Sequence, residues 1–425
     1  MKSFSHVYEN LMTPENLESA IFYASKYKGQ KSKVTQQQIE WVNKNKDFAI
    51  TYMQMELQRF INDPKHTVLF HRHPPVMIHD NSCGKDRIIV KPPFLYEQIY
   101  HHAIIQVIVH IITKGMYEYS CASIPGRGST YGKAAIEKFI KNHPEQCKYY
   151  LKMDIHHFFQ SIDHDLLYKL ISTHVKDEKY MLLIRQLLWS YEDSHGKGLP
   201  IGYYTSQWFA NWYLQSFDHY VKEQLHAPFY IRYMDDMVIF CSNKRELRKM
   251  QISIIDYMNN IGLVLNDKTV IYKLNDTPLN FMGYIFHFKY TTLRKNIMIH
   301  STRLARRINK NGYDWLNCCR ELSLLGWVER TDSYNVYLKY IKPNIDINKL
   351  KETVSKHAKN ENIRKYMMDL YEKVEKEREE MKEVYEIMLS EGMIEYYYWT
   401  GEEINFIGPA EIELNNILYS IENSP

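Results

Sequence analysis

The sequence predicts an α+β protein, and three observations carry that expectation. Short apolar runs bounded by turn residues recur at 67–90, around 151–155 and at 229–240, while segments with apolar residues at helical spacing lie between and beyond them. Two of the runs, 229–231 and 237–240, flank Tyr233-Met234-Asp235-Asp236 as the arms of a β-hairpin would. At 425 residues and 45% hydrophobic content, the chain can bury a sizeable core plus one or two smaller units.

In chain order, residues 1–60 are polar and aromatic with helical spacing, which predicts helices that pack on the next region or hold a partner. Short strands follow at 67–70, 76–78 and 87–90, with Asn81-Ser82-Cys83-Gly84 as the bend between the last two. Residues 96–114 read as a long apolar helix, Gly126-Arg127-Gly128-Ser129-Thr130 as a flexible loop, and 133–141 as a second helix. Beyond Tyr290, Arg294, Lys295, Arg303, Arg306, Arg307 and Lys310 recur at helical spacing, either as a face that meets phosphates or as a solvated face. From Ile363 to Met393 an apolar stripe with Glu and Lys elsewhere predicts a long amphipathic helix.

The net charge of +4 conceals an asymmetry: from Glu372 onward the balance is −10, which leaves +14 on the rest. A basic body with an acidic appendage is the footprint of a polyanion binder carrying a separate interaction segment. The six cysteines show no CxxC pair, and adjacent Cys318-Cys319 reads as small apolar filling. No signal peptide and no run of membrane-spanning length is evident, so a cytoplasmic protein with reduced thiols and no membrane partner is expected.

Adjacent carboxylates repel, so Asp235-Asp236 in an apolar frame suits a site for divalent cations. Asp154, in the equally apolar frame Leu151-Lys152-Met153-Asp154-Ile155, adds a third. Three carboxylates on facing strands can hold two Mg²⁺ ions for in-line nucleotidyl transfer. His156-His157 lies beside Asp154, but no zinc site is assigned there.

These motifs resemble those of reverse transcriptases. Asp154 with Phe158-Phe159 and Ser161-Ile162-Asp163 is similar to the family's first palm motif, the stretch from Gly198 to Gln207 to the second, and Tyr233 to Asp236 to the third. Gly262 to Thr269 is similar to the fourth, Phe281-Met282-Gly283-Tyr284 to the primer grip, and Lys85-Asp86-Arg87 to the fingers motif that holds the triphosphate. The resemblance implies a right-hand polymerase: an N-terminal helical segment (1–60), fingers (61–146), a palm with an antiparallel sheet and flanking helices (147–290), a helical thumb (291–345) and a helical, acidic C-terminal appendage (346–425). It also implies that Asp154, the Ile155 backbone, Asp235 and Asp236 bind two Mg²⁺ (Mn²⁺ as substitute), and that Lys268 protonates the leaving pyrophosphate. Lys85, Arg87, Gly202 and Gln207 are then expected to contact nucleotide or template, and Phe159 to exclude the ribose 2′-hydroxyl, making the product DNA.

The wording of the second motif, with Ile201 before Gly202, resembles bacterial reverse transcriptases of the unknown-group, defence-associated type, close to those of diversity-generating retroelements. The leading expectation is an enzyme that makes cDNA from a dedicated structured noncoding RNA in anti-phage defence. The runner-up is a mutagenic retroelement polymerase. A third reading is a protein-primed or template-independent polymerase of the abortive-infection type, with Tyr396-Tyr397-Tyr398 as a candidate primer. Expected partners are the RNA template, the DNA product and RNA–DNA hybrid, dNTPs, and a second copy or accessory protein on the C-terminal helix.

Overall fold

A computed structural model describes residues 4–26, 33–80, 85–191 and 196–357. The chain divides after Arg294 into two units, residues 1–294 and 295–425.

The first unit begins with four helices, α1 (Val7–Leu11), α2 (Pro14–Ser25), α3 (Lys33–Lys44) and α4 (Lys46–Asn62). Thr13 starts α2 by accepting the Asn16 N–H, with Pro14 at the first helical position, where its missing N–H costs nothing. Strands β1 (Pro75–Asp80) and β2 (Lys85–Val90) form an antiparallel hairpin that pairs Pro75 with Val90 and Asp80 with Lys85. Helix α5 (Ile99–Lys114) is apolar almost all round and accordingly buried, with Ile99, Ala103, Ile104, Ile108 and Ile112 inaccessible. Helix α6 (Ser129–Asn142) follows.

Three local expectations need correction. Residues 67–70 are not a strand: the Gln186 side chain accepts the Leu69 N–H and donates to the Thr67 carbonyl, both at 2.8 Å, so an amide takes the place of a neighbouring strand. The segment 126–130 is not wholly loop, since α6 starts at Ser129 and the Gly132 N–H already bonds the Gly128 carbonyl. Residues Phe94–Gln98 form a wide π-type turn, so the regular helix begins at Ile99. The 81–84 bend lies outside the described residues.

The central sheet is built from β3 (Tyr149–Met153), β4 (Phe229–Tyr233), β5 (Asp236–Cys241) and β6 (Val270–Lys273), in the spatial order β4-β5-β3-β6, with every pair antiparallel. Between β3 and β4 lie α7 (Phe158–Ser161), α8 (His164–His174), α9 (Glu178–Trp189), α10 (Tyr204–Tyr213) and α11 (Gln215–His219). Helix α12 (Lys244–Asn260) packs on β3 and β5 before β6. Met237, Val238, Ile239 and Phe240 of β5 are wholly buried, each contributing about 1.5–3 kcal/mol through removal from water. A small meander, β7 (Leu279–Phe281), β8 (Tyr284–Phe286) and β9 (Thr291–Leu293), closes the unit.

In the second unit, α13 (Lys295–Asn311) packs on α14 (Trp315–Val328). Leu304, Ala305 and Ile308 of α13 are buried, whereas Arg303, Arg306, Arg307 and Lys310 are exposed. Cys318 is buried in α14, as small apolar filling would be. Among the described residues no helix is long and apolar enough to cross a membrane. The stripe from Ile363, the tyrosines at 396–398 and the acidic segment lie outside the described residues.

Candidate active site

Strand register decides where the carboxylates stand. Met153 at the end of β3 pairs with Met237, so Asp154, one residue on, comes level with Asp236 at the start of β5. Tyr233 pairs with Asp236, which leaves Met234 and Asp235 as a two-residue hairpin turn beside it. Met234 takes φ +57°, a left-handed conformation that a long side chain occupies only when its surroundings impose it. The three aspartates therefore share one edge of the central sheet.

Their environment bears the mark of crowding. The Asp235 carboxyl is pushed up to about 6, chiefly by burial, with repulsion from Asp154 and Asp236 added and the Arg87 guanidinium opposing. Asp236 is also raised, again mainly by burial, with Lys152 pulling the other way and Asp154 reinforcing. Among the described residues no three His, Cys, Asp or Glu side chains form a ready-made ligand cluster. The donors nonetheless fit hard divalent cations: they are carboxylates, partly buried, and close enough for Asp154 to raise both Asp235 and Asp236. Asp154 is fixed from the fourth motif, where Asn266 donates its backbone N–H to the Asp154 carbonyl at 2.7 Å and its side-chain amide to Oδ2 at 3.4 Å. Ile155 bridges to Leu265 and is buried. Asp163 is elsewhere, capping α8 through the Leu166 N–H.

The remaining candidates lie on several other elements, and of these Arg87 acts on the carboxylate edge. Arg87 is exposed on β2 and within electrostatic range of Asp235. Lys85 pairs through its backbone with Asp80 at the far end of the same hairpin. Phe158 is buried, while Phe159 is only partly so, and the Phe159 carbonyl accepts the Leu199 N–H at 2.7 Å, tying the first motif to the second. Gly202 takes φ +118°, and a Cβ there would stand 2.2 Å from the Val90 carbonyl oxygen, so only glycine lets the second motif lie against β2. Gly202 and Gln207 line a cavity of about 690 Å³ with Ile89, Pro92, His102 and Tyr204; neither Arg87 nor Phe159 is among its lining residues. Lys268 is exposed, its N–H donating to Asn266 Oδ1.

At the primer-grip segment, Phe281 and Tyr284 are buried partners, and Met282 (φ +51°) and Gly283 (φ +88°) make the turn between them. Gly132 of α6 leaves room for the Met282 side chain, whose Cε would lie 2.6 Å from an added Cβ. Lys152 of β3 donates to the Asn280 carbonyl at 3.0 Å, joining this meander to the carboxylate edge.

Sequence reasoning missed Arg232. It is wholly buried on β4, in a two-point ion pair with equally buried Asp218 (Nη2–Oδ2 2.6 Å, Nε–Oδ1 2.8 Å). The available signal was an arginine inside the apolar run Phe229-Tyr230-Ile231-Arg232-Tyr233, where a charge persists only with a buried partner.

With this geometry in view, comparison with known proteins places residues 78–286 in the family described as "Reverse transcriptase (RNA-dependent DNA polymerase)". Over those residues the chain is similar to reverse transcriptases. It is 27% identical over 155 residues to the "Uncharacterized 91 kDa protein in cob intron" of Schizosaccharomyces pombe, a match covering 35% of this chain and 18% of that protein. It is 30% identical over 96 residues to "Protein P" of a hepatitis B virus, covering 22% of this chain and 11% of that one. The chain thus spans under a fifth of these relatives' length. Among solved structures, apo telomerase from Candida tropicalis aligns over 69% of this chain and 59% of that one, at 13% identity and a TM-score of 0.46.

Proposed function

We propose that this protein is an RNA-directed DNA polymerase whose reverse transcriptase domain works at the edge formed by Asp154, Asp235 and Asp236. The observation that carries the reading is the register that brings Asp154 level with Asp236 beside the Asp235 turn. Bound there, two Mg²⁺ ions would lower the pKa of the attacking 3′-hydroxyl and neutralise charge on the reacting phosphate. The protein's own part is placement. Asp154, Asp235 and Asp236, with the Ile155 backbone, hold the cations. Arg87, an exposed fork near Asp235, meets triphosphate oxygens as a guanidinium matches them, and Lys85 adds charge from the same hairpin. Phe159 crowds the ribose 2′ position, and Lys268 supplies a proton to the departing pyrophosphate. Gly202 and Gln207, at the cavity against β2, contact template and incoming base, and the turn at Met282 and Gly283 steadies the primer.

The finer role we propose is copying of a dedicated noncoding RNA in antiviral defence, supported by the second motif's wording and by the length of chain beyond the palm motifs. Primer extension on a defined RNA, with sequencing of the product, tests the enzymatic reading. DNA complementary to the RNA and dependent on Mg²⁺ or Mn²⁺ is expected. Product whose sequence ignores the RNA would instead favour template-independent synthesis.

A further inference from the structure

The carboxylate turn rests on a buried polar frame. Arg232 lies one residue before Tyr233 with no exposed surface, and each of its guanidinium nitrogens has a partner. Nε and Nη2 grip the Asp218 carboxylate of α11. Nη1 donates to Asn211 Oδ1 of α10 at 2.9 Å and to the Met234 carbonyl at 3.1 Å. That carbonyl belongs to the left-handed residue of the turn, so the guanidinium holds the peptide that a methionine at φ +57° would otherwise release. The backbone of Arg232 is fixed as well, its N–H bonded to the Tyr119 carbonyl and its own carbonyl to the Cys121 N–H. Asn211 in turn donates to the Ala122 carbonyl at 3.0 Å. Helix α10 also carries Gln207 and follows directly on Gly202, so the same cation touches the nucleotide-side helix and the metal-side turn.

We infer that Arg232 is a positioning residue: through Asn211 and the Met234 carbonyl it locks the carboxylate turn to the second-motif helix, and so sets the spacing at which Asp235 and Asp236 present themselves to cations. The inference rests on the polymerase reading of that edge. A fork is required, because one donor must satisfy Asp218, Asn211 and a main-chain carbonyl at once, and a lysine ammonium has no planar array to do so.

The test compares Arg232→Lys, Asn211→Ala and Tyr230→Phe in the full chain. Arg232→Lys keeps a charge beside Asp218. Asn211→Ala keeps the ion pair and removes the link to α10, together with the Asn211 bond to the Ala122 carbonyl. Tyr230→Phe removes another bond of the same cluster, Tyr230 Oη to Asp218 Oδ1 at 2.7 Å, without touching the turn. Each is measured for thermal unfolding, for kcat and KM of dNTP addition, and for direct Mn²⁺ binding by electron paramagnetic resonance. Arg232→Lys is expected to lower kcat about tenfold or more, with dNTP KM little changed and Mn²⁺ affinity reduced several-fold. Asn211→Ala should move both readouts the same way by less, and Tyr230→Phe should lower the melting temperature alone. A folded Arg232→Lys with parental kcat and Mn²⁺ affinity overturns the inference, as does a Tyr230→Phe that loses both readouts equally. If Arg232→Lys does not fold, Asn211→Ala decides on the same two readouts. Should the parent itself add no nucleotide, the polymerase reading fails, and the Mn²⁺ titration still decides whether Arg232 sets the turn.

Discussion

Asp235 concentrates the electrostatic cost of the site. In the metal-free protein its carboxyl titrates at about 6, above the ordinary 3.8. Between those values the folded state holds a proton that the unfolded state has lost, so stability falls as pH rises through the window, and the penalty is complete above 6. Asp235→Asn should therefore be more stable than the parent in EDTA at pH 7.5, by about 1–3 kcal/mol, with the gap closing as pH falls from 6 to 4. Thermal unfolding across that range checks it, and an unchanged gap at all pH values contradicts it. A second change at this scale is Phe159→Val, which should raise ribonucleotide incorporation about tenfold or more if the half-buried ring guards the sugar. Unaltered discrimination would return Phe159 to the core. The aspartates were legible because two adjacent carboxylates inside apolar runs have few structural uses. Arg232 was not, because its partner Asp218 lies fourteen residues away on another element and no local pattern joins them.

At the scale of elements, the hairpins at 75–90 and 229–241 and helix α5 were legible from alternation, turn position and continuous apolarity. Residues 67–70 were misread because Val68-Leu69-Phe70 has strand composition while Gln186, far along the chain, supplies the backbone partners. The fit of the second motif against β2 makes a sharper prediction. Gly202→Ala would place a methyl 2.2 Å from the Val90 carbonyl at a φ of +118°, so it should destabilise the protein by about 2 kcal/mol or more. It should also disturb the 690 Å³ cavity that Gln207 lines, weakening template or nucleotide contact beyond the loss of stability. Denaturant unfolding with a parallel dNTP KM measurement tests both parts, and a parental melting curve would mean that the loop has another way to lie on β2.

At the scale of the whole molecule, charge partition is the governing feature. The body carries +14 and the segment from Glu372 carries −10, and α13 exposes Arg303, Arg306, Arg307 and Lys310 on the face opposite its buried residues. RNA binding should weaken steeply with salt, because neutralised phosphates release counterions. Deleting 372–425 should leave that slope nearly unchanged, since an acidic segment repels phosphate; a large fall in slope, from a protein that still melts cooperatively, would mean that the segment touches RNA. The aspartate edge is where DNA is expected to be made from RNA. The most direct measurement is extension of a DNA primer on an RNA template by the parent and by Asp235→Asn with Asp236→Asn, at concentrations matched for RNA binding. The parent should extend the primer in Mg²⁺, and the double variant should bind RNA as well while its rate falls at least about a hundredfold. Near-parental extension by the double variant would place the chemistry somewhere else in the chain.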